Sequence, residues 1–256
     1  MKINKMLSTV ALLVITGNVL MAGGDIAPVE PVVPEVVVAD SWNYSAAIYV
    51  FASGIEGEMA NGAEIDMSFS DIMDNLDMTF MGNFQAQKGK WTFGSDFIYL
   101  KIGDKPNTLL PPPLGIGTTL TNVQMKSWIV TPTVAYRVME SENLDLDVLA
   151  GARYLKMEPT IGIDNINHTD SGSVTDGIVG VRGQYDLDGK WYIPFQMDVG
   201  GGDSDVIWQA FAGVGYEYEN FDLIAGYRHM DWDFDSGEAM KDLSISGPII
   251  GAKFKF

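Results

Sequence analysis

Arginine and carboxylate side chains recur at alternate positions of segments whose remaining positions are apolar. The arginines of this kind are Arg137, Arg153, Arg182 and Arg228. The carboxylates are Asp96, Asp145, Asp147, Asp198, Glu217 and Asp222. Charges that share an enclosed face must pair, because an isolated ion is costly to remove from water. The pattern predicts either an ion-pair network that stabilises an interior or a charged lining that selects solutes in a small pore.

A second candidate site is a run of alternating acids, Asp231, Asp233 and Asp235, with Asp242 at the twelfth position. Carboxylates at alternate positions are typical of calcium loops. Gly237 stands one position later than the glycine of such a loop, and the pattern predicts no flanking helices. The run therefore indicates either a calcium or magnesium site at an outer surface or a solvated acidic loop.

Histidine is the third candidate, and the sequence has two, His168 and His229. A general base needs a partner within hydrogen-bond reach, and Asp231 lies two residues from His229. Neither a Gly-x-Ser-x-Gly nor a His-Glu-x-x-His motif occurs. Cysteine is absent, which excludes disulfides and thiol catalysis. We expect no enzymatic activity and no cofactor.

The scaffold for these side chains is a set of ten segments in which apolar residues alternate with polar ones. Such period-two alternation predicts β-strands with two different faces. Tyrosine and tryptophan cluster at the segment ends, as in the aromatic girdles of membrane barrels. The segments begin near Trp42, Met78, Trp91, Trp128, Leu144, Val179, Trp191, Val206, Phe221 and Ile250.

Tight and long connections alternate between these segments. The tight ones are 88–90, 140–143, 188–190 and 219–220, and the long ones are 53–76, 103–122, 158–174, 200–205 and 233–242. Short periplasmic turns and long external loops are typical of outer-membrane barrels. We predict an all-β, antiparallel up-and-down transmembrane β-barrel of about ten strands. Eight strands are possible, and so are twelve if Asn61-Gly62 forms a hairpin turn.

One short helix is predicted in the first long loop, over 70–76. Ser70 is a favourable first cap, and Ile72, Met73 and Leu76 form an apolar stripe. The helix either packs on the loop as a cap or enters the lumen as a plug, and we favour the plug because a water-exposed apolar stripe is costly.

The N-terminal region has the composition of a targeting segment. Lys2 and Lys5 precede an apolar core, and small residues follow, so residues 1–22 are predicted to be a signal peptide cleaved near Ala22. Residues 23–41 are a proline-rich periplasmic lead-in, and 42–256 form the barrel. The formal net charge of −18 disfavours nucleic-acid binding.

The C-terminal segment resembles the last strand of bacterial outer-membrane barrel proteins. The chain ends in Phe256, with Phe254, Ala252 and Ile250 at alternate positions. Residues 68–77, 226–228 and 246–248 also resemble a widespread family of such barrels, most of them uncharacterised. The resemblance implies a Gram-negative outer membrane and recognition of Phe254 and Phe256 by the barrel-assembly machinery. It implies no catalytic residues.

These observations favour a non-enzymatic barrel with a structural role or porin-like passage of small solutes. The expected partners are outer-membrane lipid, lipopolysaccharide, the assembly machinery and divalent cations. One alternative is an enzyme at the external rim that acts on lipid or peptide. The pair His229 and Asp231 is similar to the histidine and acid of omptins, but the further paired aspartates of omptins have no match here. The other alternative is a surface protein that binds partners through its long loops.

Overall fold

The computed structural model describes residues 41–60, 62, 64–74, 76–103, 120–163, 166–169, 171–234 and 240–256. The predicted signal peptide, nearly all of the predicted lead-in and Asp235 lie outside the described residues. No helix in the described ranges is long and apolar enough to cross a membrane.

The described elements are almost entirely strands. They are β1 (Asn43–Phe51), β2 (Gly54–Met59), β3 (Glu64–Met67), α1 (Phe69–Asp74), β4 (Leu76–Lys88), β5 (Trp91–Gly103), β6 (Leu120–Glu140), β7 (Leu144–Ile163), β8 (Ile166–Thr169), β9 (Gly172–Asp186), β10 (Trp191–Gly202), β11 (Val206–Glu217), β12 (Phe221–Asp233) and β13 (Met240–Lys255).

Ten of the described strands close into a barrel. Going round the sheet, the neighbours are β1, β4, β5, β6, β7, β9, β10, β11, β12 and β13. The circuit closes where β13 pairs antiparallel with β1, with Ser45 opposite Lys255. A closed sheet has no free edge, so its backbone groups are satisfied without water. The predicted antiparallel barrel of about ten strands is confirmed.

The outer wall of the barrel is apolar and aromatic. Met197 and Ile250 are 58% and 64% exposed, and Trp91 and Trp191 are about half exposed. Trp91 packs edge-on against Tyr136, at 4.8 Å between ring centroids. A continuous apolar wall of this kind is unfavourable in water and suits contact with lipid hydrocarbon.

Tight turns join the strands at one end, which we call the turn end; the opposite end is the loop end. Gly89 and Gly189 each precede a Lys-Trp pair and have positive φ values of 55° and 82°. Left-handed backbone is costly for residues with a Cβ, so the repeated Gly-Lys-Trp serves two similar hairpins. At the loop end, the connection predicted over 200–205 is shorter than expected, because Ser204 is held by buried Asp176 through two hydrogen bonds of 2.8 and 3.0 Å.

The first long connection folds into a hairpin and the helix. Strand β2 pairs with the loop-end part of β13, and β3 pairs only with β2 among the described strands. The hairpin therefore stands on the rim and leaves the closed circuit at ten strands. Before α1, Ser68 and Asp71 cap each other, with the Ser68 amide donating to Asp71 at 3.1 Å.

Helix α1 is shorter than predicted and contacts β2 of the rim hairpin. Its Ile72 is only 4% exposed and belongs to the apolar core, whereas Met73 is 49% exposed. Of the three residues of the predicted stripe, Ile72 and Leu76 thus pack in or against the core, and Met73 faces away from it.

The lumen has two chemically different halves. Its loop-end half is an apolar core to which nearly every strand contributes. The least exposed members are Ile102, Ile207, Met230, Trp232 and Leu243, each 1% exposed or less. The turn-end half carries polar and charged side chains. The described interior is therefore apolar near the loop end and polar near the turn end.

Candidate functional site in the barrel lumen

A buried ion pair lies at the boundary between the two halves of the lumen. Arg153 Nη2 and Asp198 Oδ1 are 2.8 Å apart, and both side chains are at most 1% exposed. Gln196 and Gln209 donate hydrogen bonds to the other oxygen of Asp198, at 2.9 and 3.2 Å. The network compensates the cost of removing these charges from water.

A second pair joins strands on opposite sides of the barrel. Arg228 Nη1 donates to Asp96 Oδ2 at 3.1 Å and to the Tyr49 hydroxyl at 3.2 Å. Tyr49 in turn donates to Asp96 at 2.9 Å. The Arg228 guanidinium also lies 5.8 Å from the ring centroids of Phe51 and Phe211. Aromatic faces stabilise a cation in such positions, so Arg228 bridges the polar half and the apolar core.

A third cluster lies close to the turn end, on three consecutive strands of the barrel. Asp147 accepts hydrogen bonds from Arg137 on one oxygen and from Arg182, at 3.2 Å, on the other. Arg137 also pairs with Asp145 at 2.8 Å. One carboxylate thus holds two guanidinium groups, which restricts the geometry of both.

The fourth cluster lies at the turn-end mouth. Lys255 pairs with Glu217 at 2.7 Å and with Asp222 at 3.0 Å. Asp222 also accepts a hydrogen bond of 3.0 Å from Tyr192. The Tyr192 ring lies against Gly215, where a Cβ would stand 2.2 Å from the ring. Glycine at position 215 therefore allows Tyr192 to lie flat across the lumen and reach Asp222.

A cavity of about 270 Å³ occupies the turn-end half between these clusters. We call it the turn-end cavity. Small side chains on the inward positions of neighbouring strands, such as Ala47 and Gly251, leave this space unfilled. Its charged lining residues are Asp96, Asp145, Asp147, Arg137, Arg182, Arg228 and Lys253.

The structure brings the predicted lumen charges together in one interior. Arg137, Arg153, Arg182 and Arg228 all point inward and all pair with aspartates. Tyr49, Tyr192 and Lys253 also lie in this interior, although none of them was among the predicted site residues. Inward strand parity indicates all three, but nothing in the sequence marks a hydroxyl or a lysine as part of a network until its cross-barrel neighbours are known.

The predicted acidic site and histidine lie on the outer side of the wall near the loop end. His229 Nε2 is 3.6 Å from Asp231 Oδ2, and Asp233 ends β12 opposite Asp242. Within the described ranges, no group of three or more histidines and acids could hold a metal ion. Since Asp235 is not described, the metal site stays a prediction. Phe254 and Phe256 are exposed at the turn end, and their recognition by the assembly machinery stays a prediction.

Comparison with known proteins yields structural likeness only. No family model and no curated protein matches the sequence. The solved structures that it resembles include the outer-membrane protease OmpT from Escherichia coli, at 9% identity over 85% of this chain and 98% of that chain, with a TM-score of 0.49. Neisserial surface protein A is similar at 14% identity, over 84% and 97%, with a TM-score of 0.35. Ail, the attachment invasion locus protein of Yersinia pestis, is similar at 12% identity, over 85% and 99%, with a TM-score of 0.39.

These likenesses carry no statement about site residues or activity. The strand pairing, the apolar outer wall and the charged lumen define the class of the protein, a closed antiparallel up-and-down β-barrel.

Proposed function

We propose that this protein is a structural, non-conducting barrel of the bacterial outer membrane. The observation that carries the proposal is the apolar core in the loop-end half of the lumen. Trp232 and Ile207 are fully buried there, and the core continues through the rim hairpin to Ile72 of α1. Ions do not cross a tightly packed apolar layer, because nothing in it replaces their hydration.

We also propose how the barrel is oriented in the membrane. Short turns face the periplasm in outer-membrane barrels, so the polar half of this lumen opens toward the periplasm and the apolar core faces outward. A cleaved signal peptide over 1–22 and assembly through Phe254 and Phe256 belong to the same proposal. The proposed partners are outer-membrane lipid and lipopolysaccharide, with divalent cations at the acidic loop end.

Conductance tests this function directly. We expect the refolded protein to insert into planar bilayers without producing a steady conductance above that of the lipid. Heat-modifiable gel migration of the same sample verifies that a folded barrel was added, and a general porin serves as the positive control. A stable, voltage-independent open level in the folded protein would contradict the proposal and restore porin-like passage.

A second candidate function is a lipid-modifying enzyme on the outer wall. His229 and Asp231 lie within 3.6 Å, and strand register places Ser246 directly opposite His229 and Ser244 opposite Asp231. Directly opposed side chains on one face are about 5 Å apart at Cβ. Serine, histidine and aspartate so arranged are the residue types of acyl-transfer catalysis.

A fluorophosphonate probe separates the two functions. The structural proposal expects no covalent labelling of the folded barrel in detergent or vesicles, as seen by intact mass. Labelling at Ser246 that is lost in His229→Ala but retained in Ser244→Ala would support the enzyme. Ser244→Ala is the matched control because Ser244 lies on the same strand and the same face.

A further inference from the structure

The turn-end cavity is lined by four positively charged side chains and only three carboxylates. Its three carboxylates, Asp96, Asp145 and Asp147, each bind at least one arginine. Lys253 also lines the cavity, yet it makes no ion pair within 4.0 Å to any described residue. A cation largely withdrawn from water without a partner is unfavourable, so a complementary anion is favoured there.

The acidic residue opposite Lys253 is engaged through one of its two oxygens. Asp222 stands opposite Lys253 in the strand register. Its Oδ2 atom is bound by Lys255 at 3.0 Å and by the Tyr192 hydroxyl at 3.0 Å, whereas its buried Oδ1 has no hydrogen-bond partner among the described residues. Lys255 and Tyr192 thus hold Asp222 at the mouth, and Lys253 lines the cavity without an ion pair to it within 4.0 Å.

A second cation of the cavity has unused donors. Arg182 bonds Asp147 through Nε alone, and its two Nη nitrogens make no hydrogen bond to the residues that the structure describes. A guanidinium presents a fork of donors that fits a carboxylate or a phosphate. Arg182 and Lys253 both line the cavity, and like charges that share an enclosed space are unfavourable. An oxyanion between them offsets both charges.

The remaining lining suits the rest of a small polar solute. Gln85, Gln184 and Gln196 each donate one amide N–H to a neighbouring side chain, and their amide oxygens can accept from hydroxyl groups. The cavity, at about 270 Å³, lies just below the usual size of ligand sites, so it suits only a small solute. Because the loop-end half is closed, a solute enters and leaves on the turn side only.

From this geometry we propose that the turn-end cavity binds a small solute carrying a carboxylate or phosphate group, with the oxyanion between Lys253 and Arg182. The inference deepens the proposed function, since it rests on a lumen that is closed at one end. The barrel then holds a solute on its periplasmic side without passing it across the membrane.

The experiment is isothermal titration calorimetry on the full chain, refolded in a zwitterionic detergent at low ionic strength. The probes are succinate, citrate and inorganic phosphate, with glucose as the uncharged comparison. We expect saturable binding of at least one anion and none of glucose. In Lys253→Gln the Kd rises about tenfold or more, as expected when a hydrogen bond to a charged group is lost. Lys253→Arg, which keeps the charge, retains binding.

Lys90→Gln is the matched control, because Lys90 is exposed at the same end of the barrel and does not line the cavity. Heat-modifiable migration shows that each variant is folded. The inference is overturned if no anion binds by about 10 mM, a concentration that marks affinity too weak for a built site. It is also overturned if Lys90→Gln weakens binding as much as Lys253→Gln. The conductance measurement tests the non-conducting barrel independently of anion binding. A failure of the anion-binding inference can therefore be distinguished from a failure of the proposed function.

Discussion

Replacing Arg153 with methionine is expected to destabilise the barrel by about 3–5 kcal/mol, the cost of leaving a buried charge without its partner. Asp198 would remain withdrawn from water and would keep only the amides of Gln196 and Gln209. The measurement is equilibrium unfolding in urea in the presence of lipid vesicles, followed by heat-modifiable migration and tryptophan fluorescence.

Two further variants make this result specific. Lys241→Met removes an ion pair to Glu58 whose side chains are 52% and 40% exposed, and it should change stability by less than about 1 kcal/mol. The double variant Arg153→Met with Asp198→Leu removes both charges and should recover part of the loss. If Arg153→Met alone unfolds within about 1 kcal/mol of the native protein, the pair does not stabilise the lumen.

The wall of the barrel could be predicted from the sequence because one physical rule governs it. Successive side chains of a strand point to opposite faces, so a segment such as Trp191 to Val199 shows its lipid-facing and lumen-facing residues by parity alone. The turns were predictable for a similar reason, since Gly89 and Gly189 supply a backbone conformation that few other residues adopt.

The pairing inside the lumen could not be predicted in this way. Parity says that Arg228 and Asp96 both face inward, but not that they meet across the barrel, 132 residues apart in sequence. That contact depends on how far each strand is staggered against the next, and the stagger accumulates around the closed sheet. If the register of one strand pair shifts by two residues, each side chain stays on the same face of the sheet but meets different partners on the neighbouring strand.

The division of the lumen into two halves was also missed, although its signal is in the sequence. In β5, inward Ile98, Leu100 and Ile102 alternate with outward Phe97 and Tyr99. The stretch from Phe97 to Leu100 is therefore apolar on both faces, which is the pattern of an element buried on both sides. The predicted charged lining along the strands depends on the charged inward positions alone and leaves out the apolar inward positions near the loop end.

The apolar half of the lumen matters for function because it distinguishes a conducting pore from a structural barrel with the same inward charges. A polar lumen that continues to both ends can conduct, and its arginines would then select ions. In the proposed non-conducting barrel the arginines lie beneath an apolar layer, so their charges would stabilise the structure and line a cavity with one entrance. The charges are the same in both cases, and the packing above them decides between the functions.

Trp232 is the largest side chain in that layer, and its replacement gives the second large effect. Trp232→Ala is expected to cost about 3–5 kcal/mol, because the fully buried ring leaves a cavity that the closed barrel cannot collapse to fill.

Phenylalanine at the same position separates packing from hydrogen bonding. The indole Nε1 of Trp232 is buried and has no hydrogen-bond partner among the described residues. Trp232→Phe keeps most of the packing and removes that unpaired donor, so its cost should stay below about 1 kcal/mol. Urea unfolding in lipid vesicles measures both variants, with tyrosine emission and gel migration as signals. Equal losses in the two variants would mean that the indole N–H is bonded, and the layer would then be held by a polar contact as well as by packing.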